Sequence, residues 1–524
     1  MAATSHNIQH GNLYDETDSF PTFDNQSPPL MELGSIIWIS LIIICLAGLK
    51  VGHWKLFEKA GQPGWAALVP IYNWYIWLKL IGKPIWWIAI LLIPAIGVLA
   101  WVSMTIDLVR SFGKYKLSEQ AASLFLFPYY LPKIGLDKAV SYLGPPETHK
   151  NVPAKGQIRE WGDAVLFAGV SALIIRTFFI EAFMIPTSSM ERTLMAGDFL
   201  FVSKYHYGAR MPMIPTSVPF IHNKIKLGNF VAPSYTDLIQ LPYWRLPGLT
   251  EVERNDIVVF NYPAHDIDDL GDGAGKIEAI SMKENYIKRC VAVPGDTLSI
   301  RNQQVYVNGE IGYNPPLMQY QYLVETDGTG FSKTKLNRLG FRAYDPNVPN
   351  DNPNYGPTRL RGQYAFFMPD SIAEIIREMG NVKKVDTVYS VQGDHDKRVY
   401  PTRGNTHKWN IDNFGPVYIP KAGTTIPLNT RNLALYWRVI EVYEGHDIEV
   451  GDNKVLIDGE QVSEYTFEMS YYWMMGDNRH NSQDSRIWGF VPENHIVGKP
   501  LFVFFSYEDD FGIRWNRIGT KYTH

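Results

Sequence analysis

Three polar segments of this 524-residue sequence carry side chains that could act together in nucleophilic catalysis. The loop at 185–190 (IPTSSM) offers the hydroxyl of Ser189, and the strand-like run at 286–289 (YIKR) offers the amine of Lys288. The third segment, 476–486 (GDNRHNSQDSR), is a turned run of carboxylate, amide and hydroxyl groups. Burial disfavours a charged ammonium, and a neutral amine near physiological pH can activate a serine. These residue types indicate hydrolysis by a serine–lysine pair.

Each segment also has an ordinary structural interpretation when it is taken singly. Adjacent serines commonly form a turn or a helix cap, and a lysine in a strand commonly faces solvent. Asp484 and Arg486 could form an ion pair in a hydrogen-bonded surface turn. The three segments become specific only as a set, so the elements that would bring them together matter.

Four apolar segments precede the serine loop and predict transmembrane helices. They cover residues 34–49, 65–81, 85–106 and 163–185. Lysines and arginines are concentrated in the loop after the first segment and in the connection 107–161, which predicts that both are cytoplasmic. Four spans satisfy this rule and place everything after residue 185 outside. If 65–81 lay only on the membrane surface, three spans would remain and the first basic loop would be external, against the rule.

After residue 186 the sequence changes to short β-type runs separated by Gly, Pro, Asn and Asp, which predicts a mostly antiparallel β domain. Asn308-Gly309 and Asp458-Gly459 are hairpin signals. The clearest helix of this part is predicted at residues 371–379. The stretch 311–427 is rich in Asn, Pro and Gly, so we interpret it as an insertion or cap without a regular core.

The predicted fold class is an N-terminal α-helical transmembrane region followed by a mostly antiparallel β catalytic domain with a large insertion. The expected divisions are a flexible polar tail (1–30), transmembrane helices 1–3 (31–110), a cytoplasmic connection (111–161), transmembrane helix 4 (162–185), the first part of the β domain (186–310), the insertion or cap (311–427) and the second part of the β domain (428–524).

The order of these motifs resembles that of the type I signal peptidases, the leader peptidases that use a Ser–Lys dyad. That family carries a serine box after a membrane span, a Gly-Asp strand, a strand like 254–260 (RNDIVVF), a Tyr-Ile-Lys-Arg strand followed by Pro-Gly-Asp, and a Gly-Asp-Asn-Arg box. The resemblance covers roughly residues 178–300 and 439–519. The multispan N-terminal region is similar to the longer form found in some Bacteroidota, and the resemblance implies a signal-peptidase-like β fold.

The resemblance implies a role for each motif residue. Ser189 would be the nucleophile and Lys288 its general base, and the Ser189 N–H and the Thr187 hydroxyl would hold the oxyanion. Thr187 replaces a serine of the family but keeps a hydroxyl, and His480 stands where many bacterial members have Asp, so we interpret His480 as a turn side chain. The supporting residues would be Ser482, which orients the lysine, Asp484 and Arg486, which brace the turn, Asp477, which holds the last box, and Ile185 and Ile287, which wall the substrate pocket.

The implied function is removal of N-terminal signal peptides from exported precursors at small-residue sites such as Ala-x-Ala, through an acyl-enzyme. No metal and no other cofactor is expected. The expected partners are signal peptides and membrane lipid, with the secretion channel left open, and the formal net charge of −4 argues against a broad nucleic-acid surface. The expected location is the inner membrane, multi-pass, with the catalytic domain on the periplasmic side. The open alternative is an inactive homologue or an envelope peptide-binding scaffold.

Overall fold

The chain folds into two compact units, as far as it is described by the computed structural model. The described residues are 46–92, 96–149, 157–214, 216–218, 221, 224–227, 230–236, 239–263, 279–342, 354–402, 406–451, 454–508 and 512–522. The first unit comprises Met1–Ile88 and Val102–Ala154, and the second comprises Ala89–Trp101 and Lys155–His524. The predicted polar tail and most of the first predicted span lie outside the described residues.

Helices form most of the regular structure before residue 180, where Leu, Ile and Trp recur at helical spacing. The second helix, for example, ends at Gly82, which has a φ of 75° and forms a left-handed C-cap. The helices are α1 (46–59), α2 (Tyr72–Ile81), α3 (Trp87–Leu91), α4 (Ile96–Arg110), α5 (Leu117–Phe125), α6 (Phe127–Leu136), α7 (Gln157–Ile174), α8 (Lys333–Arg338), α9 (Asp370–Arg377), α10 (Thr430–Arg438) and α11 (Ser485–Trp488).

The helices differ in length from the predicted spans. The segment 65–81 contains a 3₁₀ turn and α2, and 85–106 contains α3 and most of α4. In the fourth segment α7 ends at Ile174, a π-helical turn follows, and residues 180–184 form a strand rather than a helix. Across the described ranges, no helix combines the length and the apolar character that crossing a membrane requires.

Antiparallel strands form most of the second unit, as predicted. They are β1 (Ile180–Met184), β2 (Asp198–Ser203), β3 (Lys224–Leu227), β4 (Phe230–Pro233), β5 (Ile257–Asn261), β6 (Asn285–Ala292), β7 (Thr297–Arg301), β8 (Gln304–Val307), β9 (Glu310–Ile311), β10 (Tyr320–Thr326), β11 (Tyr355–Pro357), β12 (Gln363–Met368), β13 (Val382–Thr387), β14 (Phe414–Tyr418), β15 (Thr425–Pro427), β16 (Ile448–Gly451), β17 (Lys454–Ile457), β18 (Glu460–Val462), β19 (Glu464–Thr466), β20 (Tyr471–Met475), β21 (Val491–Pro492), β22 (Ile496–Glu508) and β23 (Gly512–Ile513).

The largest sheet positions all three catalytic segments. Its strand order is β1-β2-β22-β5-β6-β20-β21, and β23 pairs with β22. The serine loop follows β1, the lysine lies on β6, and the 476–486 box follows β20. The apolar side chains of β2, β5 and the serine loop pack into one buried cluster that includes Met190, Leu200 and Val259. Burying this surface ties the loop to the sheet, since each fully buried aliphatic side chain contributes about 1.5–3 kcal/mol.

The two hairpin predictions are confirmed, but the description of the insertion is partly wrong. Asn308-Gly309 joins β8 to β9 and Asp458-Gly459 joins β17 to β18, with positive φ at all four residues. Strands β10 to β13 form a regular four-stranded sheet in the order β11-β12-β10-β13, with a buried core that includes Phe341 and Phe366. The expectation that this stretch lacks a regular core fails because its aromatic side chains pack together although Asn, Pro and Gly surround them.

Candidate active site

The serine loop is fixed by the 476–486 box. The main-chain N–H of Asn478 donates to the carbonyl oxygen of Ser189 at 3.1 Å, and its side-chain amide donates to the Ser188 carbonyl oxygen at 3.1 Å. Gly476 lies so close to the loop that an added Cβ would be 2.5 Å from the Ser189 carbonyl oxygen. Only glycine fits there, so the box and the loop form one rigid site.

Lys288 and Ser189 form a direct contact, although they are far apart in the sequence. The Nζ of Lys288 donates to the Oγ of Ser189 at 2.7 Å, and it also donates to the main-chain oxygen of Ile287 at 3.0 Å. Lys288 is 3 % exposed and Ser189 is 9 % exposed. The lysine nitrogen lies 5.4 Å from the centre of the Tyr286 ring, which helps to cover it. The geometry is that of a nucleophile in hydrogen-bond contact with a base.

Burial changes the protonation of this lysine. Removing the ammonium from water lowers the pKa of Lys288 to about 8, although the nearby carboxylates of Asp484 and Asp477 oppose that decrease. A pKa in this range gives a substantial neutral fraction at mildly alkaline pH. The amine can therefore accept the proton of Ser189.

Two donors are available beside the nucleophile. The hydroxyl of Thr187 lies 3.4 Å from the Oγ of Ser189. The main-chain N–H of Ser189 makes no hydrogen bond to any residue that the structure describes. The Thr187 hydroxyl and the Ser189 N–H are thus two hydrogen-bond donors close to the Ser189 hydroxyl.

Two buried ion pairs brace the box. Asp477 accepts from Nε and Nη2 of Arg289, at 2.8 and 2.7 Å, so it ties the box to the residue that follows Lys288. Asp484 accepts from Nε and Nη2 of Arg486, at 2.9 and 2.8 Å, and from the N–H of Gly476 at 3.0 Å. Asp484 also caps α11 by accepting from the Arg486 N–H. Asp477 therefore links the box to β6, and Asp484 links its two ends.

The substrate-pocket and lysine-orienting residues fit their implied roles less closely. A cavity of about 560 Å³ lies over the dyad and is lined by Ser189, Lys288, Ile287 and Ser482. The buried hydroxyl of Ser482 makes no hydrogen bond to Lys288 within the described structure. Ile185 is 3 % exposed, packs in the core beneath the loop and is not among the residues that line this cavity.

One edge of β6 is open beside the dyad. Residues 285–289 of β6 pair with β5, whereas β20 pairs with β6 only from Arg289 onward. In the described ranges no strand pairs with the other edge of residues 285–288. Pro186 and Thr187 line the cavity that faces this edge. An extended peptide could therefore pair with β6 and bring a carbonyl to Ser189.

Sequence reasoning missed that the insertion contacts the box. Gln319 donates its N–H to the Asp477 carbonyl oxygen at 2.8 Å and accepts from the Arg479 N–H at 2.9 Å. His480 is more than a turn side chain, because its Nε2 lies 2.7 Å from Oδ1 of Asp412. Both contacts join residues that lie more than 60 positions apart in the sequence, so no local spacing could have indicated them. Among the described residues there is no group of three His, Cys, Asp or Glu side chains placed to hold a metal ion.

Comparison with known proteins agrees with this site. The family model described as "Signal peptidase, peptidase S26" matches residues 158–352 and 466–505, which contain Ser189, Lys288 and the whole box. A second model, described as a family of unknown function (DUF5684), matches residues 65–145.

Several similar proteins are named signal peptidase I. The protein of Buchnera aphidicola subsp. Schizaphis graminum is 26% identical over 354 residues, which are 67% of this chain and 77% of the relative. That of Haemophilus influenzae is 24% identical over 66% of this chain and 71% of the relative. That of Pseudomonas aeruginosa is 31% identical over 29% of this chain and 38% of the relative. The second unit of this chain is thus similar to the type I signal peptidases, and the matches support a hydrolase of the signal peptidase I type.

Proposed function

We propose that this chain is a membrane-bound serine endopeptidase that removes N-terminal signal peptides from exported precursors with a Ser189–Lys288 dyad. The observation that carries the proposal is the 2.7 Å contact between the Lys288 amine and the Ser189 hydroxyl in a buried site. A buried lysine without a carboxylate partner is costly unless it is neutral. Neutrality is the state that a general base requires.

The reaction follows from this arrangement. Neutral Lys288 takes the proton of the Ser189 hydroxyl, and the Ser189 oxygen attacks the carbonyl carbon of the scissile peptide bond. The Ser189 N–H and the Thr187 hydroxyl donate to the resulting oxyanion. The protonated amine then gives its proton to the leaving amine, and an acyl-enzyme remains. Water that loses a proton to Lys288 attacks the ester and releases the signal peptide.

The substrate would bind as an added strand. The open edge of β6 at residues 285–288 supplies main-chain donors and acceptors, and Ile287 lines the adjoining cavity. Cleavage at Ala-x-Ala-like sites is proposed from the resemblance of the motifs to those of the signal peptidases. The serine loop, the Lys288 strand and the 476–486 box follow one another in the order found in type I signal peptidases, which supports signal peptides as the substrate class.

The proposed location is the inner membrane, with the catalytic unit on the outer side. The apolar segments of the sequence and the positive-inside distribution of Lys and Arg support this location. Ser189 follows α7 closely in the sequence, so its loop would lie near the membrane surface. A precursor held in the membrane by its signal peptide presents its cleavage site at the same surface.

Two substitutions test the dyad. Ser189→Ala and Lys288→Met should each abolish cleavage of a precursor with an Ala-x-Ala site in a purified, detergent-solubilised assay. Matched controls are Ser332→Ala and Lys421→Met, which change exposed residues of the same types and should retain full activity. Full cleavage by either dyad variant would refute the proposal. Absence of cleavage by the unmodified chain would instead favour an inactive homologue or a peptide-binding scaffold.

A further inference from the structure

A second cavity of the catalytic unit combines an excess of positive charge with an apolar rim. It has a volume of about 180 Å³, lies where the π-helical turn after α7 enters β1, and shares only Asn285 with the cavity over the dyad. Its ionisable lining residues are Arg176, Lys204, Arg210 and Glu181. Among the lining residues that the structure describes, three cations therefore face one carboxylate.

The single carboxylate does not compensate all three cations. Glu181 accepts from Nε of Arg176 at 2.7 Å and from Nζ of Lys204 at 2.7 Å. Within the described part of the chain, Arg210 donates to two uncharged oxygens, the Asn494 carbonyl at 2.9 Å and the Asn261 side-chain oxygen at 2.6 Å. Burial, aided by the neighbouring Arg245, lowers the pKa of Arg210 to about 9. Glu181 is already bonded to Arg176 and Lys204, so a guanidinium that donates to uncharged oxygens favours an anionic ligand.

The surroundings of the cavity favour an amphiphile over a free anion. Val218 and Ile221 line it and are 41% and 39% exposed. Next to it, Ile175 and Phe179 of the π-helical turn are 52% and 50% exposed. Exposed apolar side chains on and near a charged cavity suit a ligand with an anionic head and an apolar tail.

We infer that this cavity binds the phosphate of an anionic phospholipid, with Arg210 and Lys204 donating to its oxygens and an acyl chain lying along the exposed apolar side chains. The inference rests on the membrane location given under the proposed function. The charge excess selects against a headgroup that carries its own ammonium. Because Asn285 of β6 lines both cavities, a lipid held here would fix the height of the open β6 edge above the membrane.

Lipid binding can be measured without catalysis. The full chain carrying Ser189→Ala would be titrated in detergent by native mass spectrometry with dihexanoyl phosphatidylglycerol, dihexanoyl phosphatidylcholine or inorganic phosphate. Phosphatidylglycerol should bind at least about tenfold more tightly than either other probe. Equal binding of phosphatidylcholine would overturn the charge argument, and equal binding of inorganic phosphate would overturn the assignment to a lipid.

Variants locate the site. Arg210→Gln and Lys204→Gln, each added to Ser189→Ala, should weaken phosphatidylglycerol binding by at least about tenfold. Lys421→Gln removes an exposed cation elsewhere and should leave binding unchanged. Unchanged phosphatidylglycerol binding in both cavity variants would refute the inference. Thermal melting identifies a variant that fails to fold. If one of the two cavity variants does so, lipid binding by the other variant tests the inference. Cleavage by Ser189→Ala would refute the proposed function but leave these binding results intact.

Discussion

The pH dependence of cleavage tests the lysine base most quantitatively. Only the neutral form of Lys288 can accept the Ser189 proton, so kcat/KM should rise with pH and level off above the pKa of the free enzyme. Burial lowers that pKa to about 8. The neutral fraction is then about one half at pH 8, about one in eleven at pH 7 and about one in a hundred at pH 6. The rate at pH 6 should thus be about a fiftieth of that at pH 8.

The assay is cleavage of a fluorogenic peptide with an Ala-x-Ala site in detergent micelles, at substrate concentrations well below KM. Glu191 needs a control, because burial raises its pKa to about 7 and it lies two residues from Ser189. The Glu191→Gln variant should retain the midpoint near pH 8. A flat profile between pH 6 and 8, or a midpoint that disappears in Glu191→Gln, would refute the assignment of Lys288 as the base.

Three further predictions concern stability and the box. Lys288→Met should raise the free energy of unfolding by about 2 kcal/mol at pH 7, because lowering the lysine pKa from 10.5 to about 8 costs about 3 kcal/mol and the lost hydrogen bond offsets about 1. Between pH 8 and 10.5 the unfolded state keeps a proton on Lys288 that the folded state has lost, so the stability of the wild type rises with pH over that window. The stability advantage of Lys288→Met over the wild type, measured by thermal melting, should therefore shrink by about pH 10. Asp477→Asn should destabilise the fold by about 3–5 kcal/mol in the same assay, because it leaves Arg289 buried without its carboxylate. Asp412→Asn should cost about 1–3 kcal/mol and lower cleavage, because His480 loses its buried partner; unchanged melting would show that the insertion does not support the box.

Local sequence patterns predicted much of the β unit. Asn308-Gly309 and Asp458-Gly459 form the expected hairpins, because turn residues between β-type runs act over a few positions. The segment 163–185 was predicted as one transmembrane helix, since apolar residues continue to its end and periodicity alone does not separate a buried helix from a short strand. Its pairing with β2 makes residues 180–184 a strand.

The candidate site was predictable only in part, because its motif residues can be identified in the sequence but the long-range contacts around them cannot. Ser189, Lys288, Asp484 and Arg486 could be selected because their types in that order match a known chemistry. The contacts of Gln319 and Asp412 with the box depend on where the insertion folds back, and nothing in the local spacing encodes that. The same holds for the cationic cavity, which assembles side chains from six separate stretches between Ile96 and Val497.

The central claim is that Ser189 forms a covalent acyl intermediate after Lys288 removes its proton. Mixing the full chain with a peptide ester that carries an Ala-x-Ala site, quenching in acid and mapping the proteolytic fragments by mass spectrometry tests this directly. The account predicts an acyl adduct on the fragment that contains Ser189, and its loss in Lys288→Met at pH 8. An adduct on another residue, or cleavage that proceeds fully in Lys288→Met, would contradict it.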